Sequence, residues 1–290
     1  MSTKLIPSNP ADVMVIRDLT PNVITLSVPF SRFGLVEVGG RCTVVRMTGG
    51  GVMVYSPVAY TPEAAAAVKR LDGGQGVKYL VAPDLEHHIF LSEWARAYPG
   101  ARLIGPQGLP EKRTATKGAN PKIRVDDAFF AVLADNRTQP PYEPQPIAPD
   151  FDADFALVYV DVHPNKEIVL LYRPEGILIE ADLLFNLPAV EQYARVDAAA
   201  RRGGPDHSNL LNRMFQYFTS TDGAATGPRR FQWYLISRGG NRARFNEAVR
   251  AIDSWPFDTI IPCHGEIVQS NGKEVFRKVF AWHLLRKKDK

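Results

Sequence analysis

Cysteine is nearly missing from this sequence: Cys42 and Cys263 are the only two in 290 residues, with no CxxC spacing. A disulfide framework is therefore excluded, and a reducing, cytoplasmic setting is expected. Long apolar runs are missing as well, since no window reaches the roughly 18 apolar residues of a membrane span. The opening MSTKLIPSNPADVMVIRD has no basic segment followed by an apolar core, so neither a leader nor a membrane partner is expected. Charge of one sign is in short supply too. The net charge is only +4, and part of it sits in the C-terminal run Arg286, Lys287, Lys288 and Lys290, which reads as a solvated chain end rather than a nucleic-acid site. What is present, 45% hydrophobic and 23% charged residues, suits a globular chain long enough to bury a sizeable core in one large domain or two small ones.

Val23 to Val38 alternates as strands do, Gly39-Gly40 turns it into Arg41 to Thr48, and the glycines at 49–51 turn it again into Val52 to Tyr55. This is an antiparallel meander. Thr61 as N-cap and Pro62 at the first helical position start a helix that runs to Leu71. A strand over Tyr79 to Ala82 then meets a polar turn, Asp84 to His88, and a helical pattern from Ile89, before Arg102 to Ile104 makes another strand. Pro110 to Gly118 reads as a basic surface loop. The five prolines between Pro140 and Pro149 suit neither helix nor strand interior and read as an extended loop inside one domain. Three more strands follow at Phe155 to Val160, Glu167 to Tyr172 and Gly176 to Glu180. Helices are expected over Leu210 to Phe218 and Arg242 to Ile252, a short buried strand at Asp258 to Pro262, and a closing helix over Glu274 to Leu285.

A strand that delivers two histidines and two acids to the mouth of a helix puts metal or proton-transfer groups where ligands bind in α/β sheets. Asp182 closes one apolar strand and His264 follows another, and a charged group in that position needs a partner. Each candidate also has a plainer reading. His87 and His88 could be surface or capping residues, His163 an exposed turn residue, His207 and His283 ordinary surface or partly buried imidazoles, and Cys263 a small core residue. Arg229, Arg230, Arg238, Arg242, Arg244 and Arg250 make either a solvated helical face or a patch for an anionic substrate.

These motifs resemble those of the metallo-β-lactamase superfamily over roughly Val23 to Leu285. The resemblance implies an α/β (α+β) fold, a four-layer αββα sandwich, with residues 1–290 as a single domain carrying a helical insertion near 200–245. Laid on the family's HxHxDH motif, His87 takes the Asp position and His88 the final His, while Pro83 and Leu85, which cannot ligate, take the first two His. EIVLLYRPEGILIEAD puts Glu167 and Asp182 at the family's next His and Asp, and IIPCHGE puts His264 at the last His. The implied metal ligands are His87, His88, Glu167, Asp182 and His264 around one divalent ion, Zn²⁺ with Fe²⁺ or Mn²⁺ as alternatives. A register shifted by one uses Asp84, Glu86 and His88 instead, and either Asp84 or Glu86 can be cast as general base. The implied function is metal-dependent hydrolysis of a small ester, lactone or thioester by a metal-activated water, with a small molecule rather than nucleic acid as partner. Two alternatives stand beside it. One is a non-catalytic binding protein whose metal is structural or lost, and the other, third, is a nuclease, which the arginines favour.

Overall fold

The computed structural model describes residues 9–32, 34–116, 123–124, 126–134, 145–197, 210–239 and 241–285. Among them the strands are β1 (Val15–Thr20), β2 (Val23–Val28), the short hairpin β3 (Ser31–Arg32) and β4 (Val36–Glu37), β5 (Gly40–Arg46), β6 (Val52–Tyr55), β7 (Val77–Val81), β8 (Arg102–Pro106), β9 (Phe129–Leu133), β10 (Phe155–Val160), β11 (Glu167–Tyr172), β12 (Ile177–Glu180) and β13 (Thr259–Pro262). They form a seven-stranded sheet in the order β1-β2-β5-β6-β7-β8-β9 and a four-stranded sheet in the order β10-β11-β12-β13. In the first sheet the meander β1-β2-β5-β6 is antiparallel, and β7 to β9 add in parallel to β6.

The strands read as continuous apolar runs because both faces of each sheet are covered. In β6, Val52 and Val54 point to a core shared with the helix Pro62–Leu71 and with Trp94, whereas Met53 and Tyr55 point between the sheets toward Ile168, Leu170 and Ile179. The period-2 alternation of a strand thus feeds two different cores. On the far side, Val158, Val169 and Leu178 pack on Phe245, Val249, Phe276 and Phe280. The layers are helix, sheet, sheet, helix, the expected αββα sandwich. The helix Pro62–Leu71 starts as the sequence indicates, with the Thr61 hydroxyl accepting from the Ala64 N–H at 3.2 Å and Pro62 at N1.

Several elements differ from expectation. β1 and β9 lie at the edges of their sheet: β1 mixes charged and apolar residues and is half-buried, while β9 is wholly apolar but leaves Phe130 and Val132 exposed. Of Pro110 to Gly118, expected as a surface loop, residues 117 and 118 lie outside the described residues and the rest is mostly helix, Leu109–Ala115, with Arg113 within it 1% exposed. An arginine can be buried there because Asp127 pairs with it and the Ser92 hydroxyl accepts its second bond at 2.7 Å. The closing helix is two pieces, Gly272–Val279 and Ala281–Leu284. Of the proline-rich stretch, residues 140–144 lie outside the described residues, as do His207 and the basic C-terminal run.

His283, expected at or near the surface, is fully buried, with its Nδ1 2.7 Å from the Asn246 side-chain oxygen. Burial, with Arg242 nearby, pushes it from its ordinary 6.5 down to about 4. The unfolded chain therefore takes up a proton here between those two values while the folded chain does not. Stability from this site is full above pH 6.5 and is lost as pH falls toward 4. Relative to His283→Gln, the wild type should lose up to roughly 3 kcal/mol across that window, read as urea midpoints at each pH. Profiles that ran parallel would refute the assignment.

Candidate metal centre

β12 and β13 run parallel, so the residues that follow them, Asp182 and His264, emerge at the same edge of the second sheet. β11 runs antiparallel to β12 and begins at that edge with Glu167. The turn after β7 is brought there from the other sheet: the Ile168 N–H donates to the Pro83 carbonyl at 2.7 Å and the Leu85 N–H to the Asn165 carbonyl at 3.0 Å. Loops from both sheets thereby meet.

Three ligand atoms converge at this edge, one each from His87, Asp182 and His264, all within 4.8 Å of one another. The Nε2 atoms of His87 and His264 are 3.1 Å apart, and His264 Nε2 is 3.1 Å from Asp182 Oδ1. Two bonds of about 2.1 Å at a tetrahedral angle leave donor atoms about 3.4 Å apart, a spacing that the two 3.1 Å sides of the triangle approach. The tautomers agree. His264 Nδ1 lies 2.7 Å from the Gly39 carbonyl, which can only accept, so the ring proton is on Nδ1 and Nε2 presents a lone pair. His87 Nδ1 is held by Asp84 Oδ2 at 2.7 Å, which likewise turns Nε2 inward. Asp182 Oδ1 is buried without a hydrogen-bond donor, while Asn165 donates to Oδ2. Two imidazole Nε2 atoms, that of His87 giving up its proton on binding, and an orphaned carboxylate oxygen aimed at one point are the donor set for a cation.

The His264 turn is clamped from four sides. Gln192 donates to the Cys263 carbonyl at 2.8 Å and accepts from the Gly265 N–H at 2.9 Å. The buried Arg41 guanidinium donates to the carbonyls of Pro262 and Gly265, both at 2.7 Å. The Asn186 N–H donates to the His264 carbonyl at 3.1 Å, and Phe185 stacks on the imidazole at 4.8 Å. Gly39 and Gly265 have to be glycine: both have positive φ, and a Cβ would meet Gln192 or the Asn186 carbonyl, each within 2.1 Å.

The other sequence candidates are close by but oriented differently. His88 turns away from the triangle, because the Arg113 guanidinium donates to its Nδ1 at 3.3 Å and to its carbonyl at 3.1 Å. The Glu167 carboxylate accepts from the N–H groups of Ala181 and Asp182, both at 2.8 Å, and so fixes the turn that presents Asp182. Asp84 Oδ1 accepts from the N–H groups of Glu86 and His87, leaving Oδ2 for the His87 ring. Glu86 pairs with Lys112 at 2.8 Å and lines the cavity described below. His163 is 3% exposed rather than an exposed turn residue; its Nδ1 accepts from the Asn165 N–H at 3.3 Å and its Nε2 has no partner. The available signal for His163 was its place in a turn between two strands that are apolar apart from Glu167, at the edge that Asp182 already marked.

Buried carboxylates crowd this edge: Asp84, Glu167, Glu180 and Asp182 are all 3% exposed or less. Burial, with Asp84 and Asp182 adjacent, pushes Glu167 well up despite its two N–H donors. Burial would raise Asp182 as well, but His264, His87 and His163 outweigh it and hold the carboxyl below its ordinary range. Burial opposes charge on His87, yet Asp84, Asp182 and Glu167 together raise it to about 9. This crowding of buried carboxyl groups is relieved by the shifts at Glu167 and His87, and a metal cation would relieve it further.

Beside the triangle opens a cavity of about 90 Å³ whose wall includes His87, His264, Glu86 and the apolar Val28, Phe30 and Val58.

A family profile described as "Domain of unknown function (DUF4336)" matches residues 31–108, from the β3–β4 hairpin through His87 to the end of β8. No curated protein matches. Among solved structures the chain is similar to the DIM-1 metallo-beta-lactamase exposed to ceftazidime, at 10% identity over 93% of this chain and 96% of that one with a TM-score of 0.55. It is similar to a metallo beta lactamase from Hirschia baltica at 10% identity over 93% and 97% of the two chains, TM-score 0.54. The metal-soaked Flv1 flavodiiron core from Synechocystis aligns at 11% identity over 93% of this chain and 60% of that one, TM-score 0.57. At such identities the likeness is one of fold, and the chain has the metallo-β-lactamase fold that its motifs implied.

Proposed function

We propose that the chain is a metal-dependent hydrolase that uses one divalent ion, Zn²⁺ or alternatively Fe²⁺ or Mn²⁺, to cleave a small ester, lactone or thioester. The observation that carries this is the His87–Asp182–His264 triangle with its unpartnered Asp182 Oδ1. Three protein ligands leave a coordination position open, which is the pattern of a catalytic rather than a structural site. When bound, such an ion lowers the pKa of water to about 7 and polarises a substrate carbonyl. Asp84 and Gly39 orient the two imidazoles, Glu167 positions Asp182, and the apolar wall of Val28, Phe30 and Val58 takes the acyl side of the substrate. Of the two carboxylates considered as general base, Glu86 is the one assigned here, because it lines the cavity while both oxygens of Asp84 are engaged.

The nuclease alternative is weakened by how four of the six arginines of residues 229–250 are used. Arg229 donates to the carbonyls of Lys278 and Ala224, Arg242 to Ser237 and Trp233, Arg244 pairs with Asp161, and Arg250 donates to the His283 carbonyl. The same proposal takes the whole chain as one domain, with the helices near 200–245 as an insertion. It also takes the setting as cytoplasmic and reducing, since both cysteines are buried free thiols; no helix among the described residues is long and apolar enough to cross a membrane.

The test is elemental analysis of protein purified without chelator, joined to a screen of esters, lactones, thioesters and phosphodiesters. About one equivalent of metal with chelator-sensitive ester, lactone or thioester turnover is expected. Bound metal that stabilises the fold with no turnover on any of them would favour the binding-protein reading instead.

A further inference from the structure

We infer that the surface formed by the helix Leu210–Thr219 and the adjoining Gln232–Ile236 segment docks on a bilayer carrying anionic phospholipid. A helix packed on a globular core turns its apolar stripe inward. Here the stripe at i, i+4 and i+7 faces outward, with Leu210 78%, Met214 51% and Tyr217 54% exposed, while the buried residues are Asn212 and Thr219. The neighbouring segment runs alongside in antiparallel register. Gly227 lies against the Tyr217 carbonyl and the Phe231 ring meets Phe215 at 6.0 Å, and in the segment that continues from Phe231 both Tyr234 and Leu235 are exposed. Both elements therefore expose apolar and aromatic residues to solvent.

Charge decides between occupants. Residues 210–239 hold the exposed Arg213, Arg230 and Arg238 against Asp222 as the one acid, with no lysine or glutamate. Pairing with a second copy about a twofold axis would bring two arginine-bearing faces together. An anionic lipid surface complements the arginines and accepts the leucines, methionine and tyrosines at the headgroup boundary. A helix that lies on a membrane needs no spanning segment, so the missing apolar run that excluded a membrane span leaves this mode open.

The docking face adjoins the candidate centre. Phe215 meets Phe185 edge-on at 6.0 Å, and Phe185 stacks on His264. Asn212 accepts from the Glu37 N–H at 3.2 Å, tying the helix to the β3–β4 hairpin, whose Arg32 lines the cavity and whose turn exposes Leu35. Docking would bring the cavity mouth to the lipid. A consequence that rests on the hydrolase reading is that the substrate class is esters or thioesters with an acyl tail.

Cosedimentation of the full chain with vesicles of phosphatidylcholine alone and of an equimolar phosphatidylcholine and phosphatidylglycerol mixture tests the docking. Binding to the anionic vesicles should be stronger by on the order of tenfold or more and should weaken with salt. Leu210→Glu combined with Leu235→Glu should abolish it, and Arg213→Glu combined with Arg230→Glu should reduce it to the level of neutral vesicles. All four side chains are on the surface, so unchanged unfolding midpoints confirm that the variants fold. Absence of binding to anionic vesicles, binding unaffected by the leucine variants, or a dimer in solution that these variants dissociate would each overturn the proposal. Metal-free and metal-loaded protein should bind alike, so failure here leaves the hydrolase reading standing, and an inactive metal site leaves the docking standing.

Discussion

Asp182→Ala is expected to strip the bound metal and abolish turnover together, with a loss of metal affinity of at least roughly a hundredfold. The free energy of binding to a preformed protein site is on the order of 10 kcal/mol, and it is divided here among three ligands, so removing one costs roughly 3 kcal/mol. Asp182 is also the carboxylate of the triangle, and without it two neutral imidazoles must hold a divalent charge in a buried setting. The stability readout separates this from simple damage. An ion bound by the folded state alone raises the unfolding midpoint by mass action, so adding metal should shift the wild type upward and leave Asp182→Ala unmoved. His264→Ala should behave in the same way. His283→Gln, which alters an imidazole buried among Phe245, Phe280 and Trp233, should keep its full complement of metal. Retention of one equivalent of metal with full turnover in Asp182→Ala would show that the chemistry lies elsewhere.

What sequence could and could not reveal is visible in the pairs His87 and His88, Asp182 and Glu167. All four are titratable groups next to apolar strands, and that pattern correctly delivers each of them to one sheet edge. Which way a side chain points on arrival is a tertiary property. His88 is drawn off by Arg113, which sits in a helix that reads as a polar loop because its burial depends on Asp127, fourteen positions further on. Glu167 is aimed at two backbone N–H groups that exist in the required position only once β11 and β12 pair. The supports of His264 were least legible of all. The Gly39 carbonyl is 225 residues away in sequence and Arg41 reaches a carbonyl 224 residues distant, so no local pattern could announce them. The layers of the sandwich were legible because continuous apolar strands and capped amphipathic helices are local signals; β1, at an edge, mixes charged residues into that signal, whereas β9 is a short apolar run of five residues that a helix segment could equally supply.

Arg41→Met is expected to be the most destabilising single substitution near the centre, at about 3–5 kcal/mol, and to weaken metal binding as well. Arg41 is 1% exposed and donates to Ser27 Oγ at 3.1 Å, to Glu191 Oε1 at 3.3 Å and to the carbonyls of Pro262 and Gly265 at 2.7 Å. Glu191 would keep its bond from Ser27 at 2.8 Å and its pairing with Arg17 at 2.9 Å. The two carbonyls flanking His264 would lose the arginine and be left short of a donor in a dry environment, which costs about 1–3 kcal/mol each. Arg41→Lys keeps the charge but offers a single ammonium in place of a fork, so it cannot serve both carbonyls and Ser27 at once and should fall between wild type and Arg41→Met. Because the carbonyls belong to the turn that carries His264, loosening them should reduce metal affinity by about tenfold to a hundredfold, measured by chelator competition on the population that remains folded. A urea midpoint and a metal affinity both unchanged in Arg41→Met would mean that Gln192 and Asn186 suffice to hold the His264 turn. A lowered midpoint with unchanged affinity would confine Arg41 to the fold and detach it from the centre.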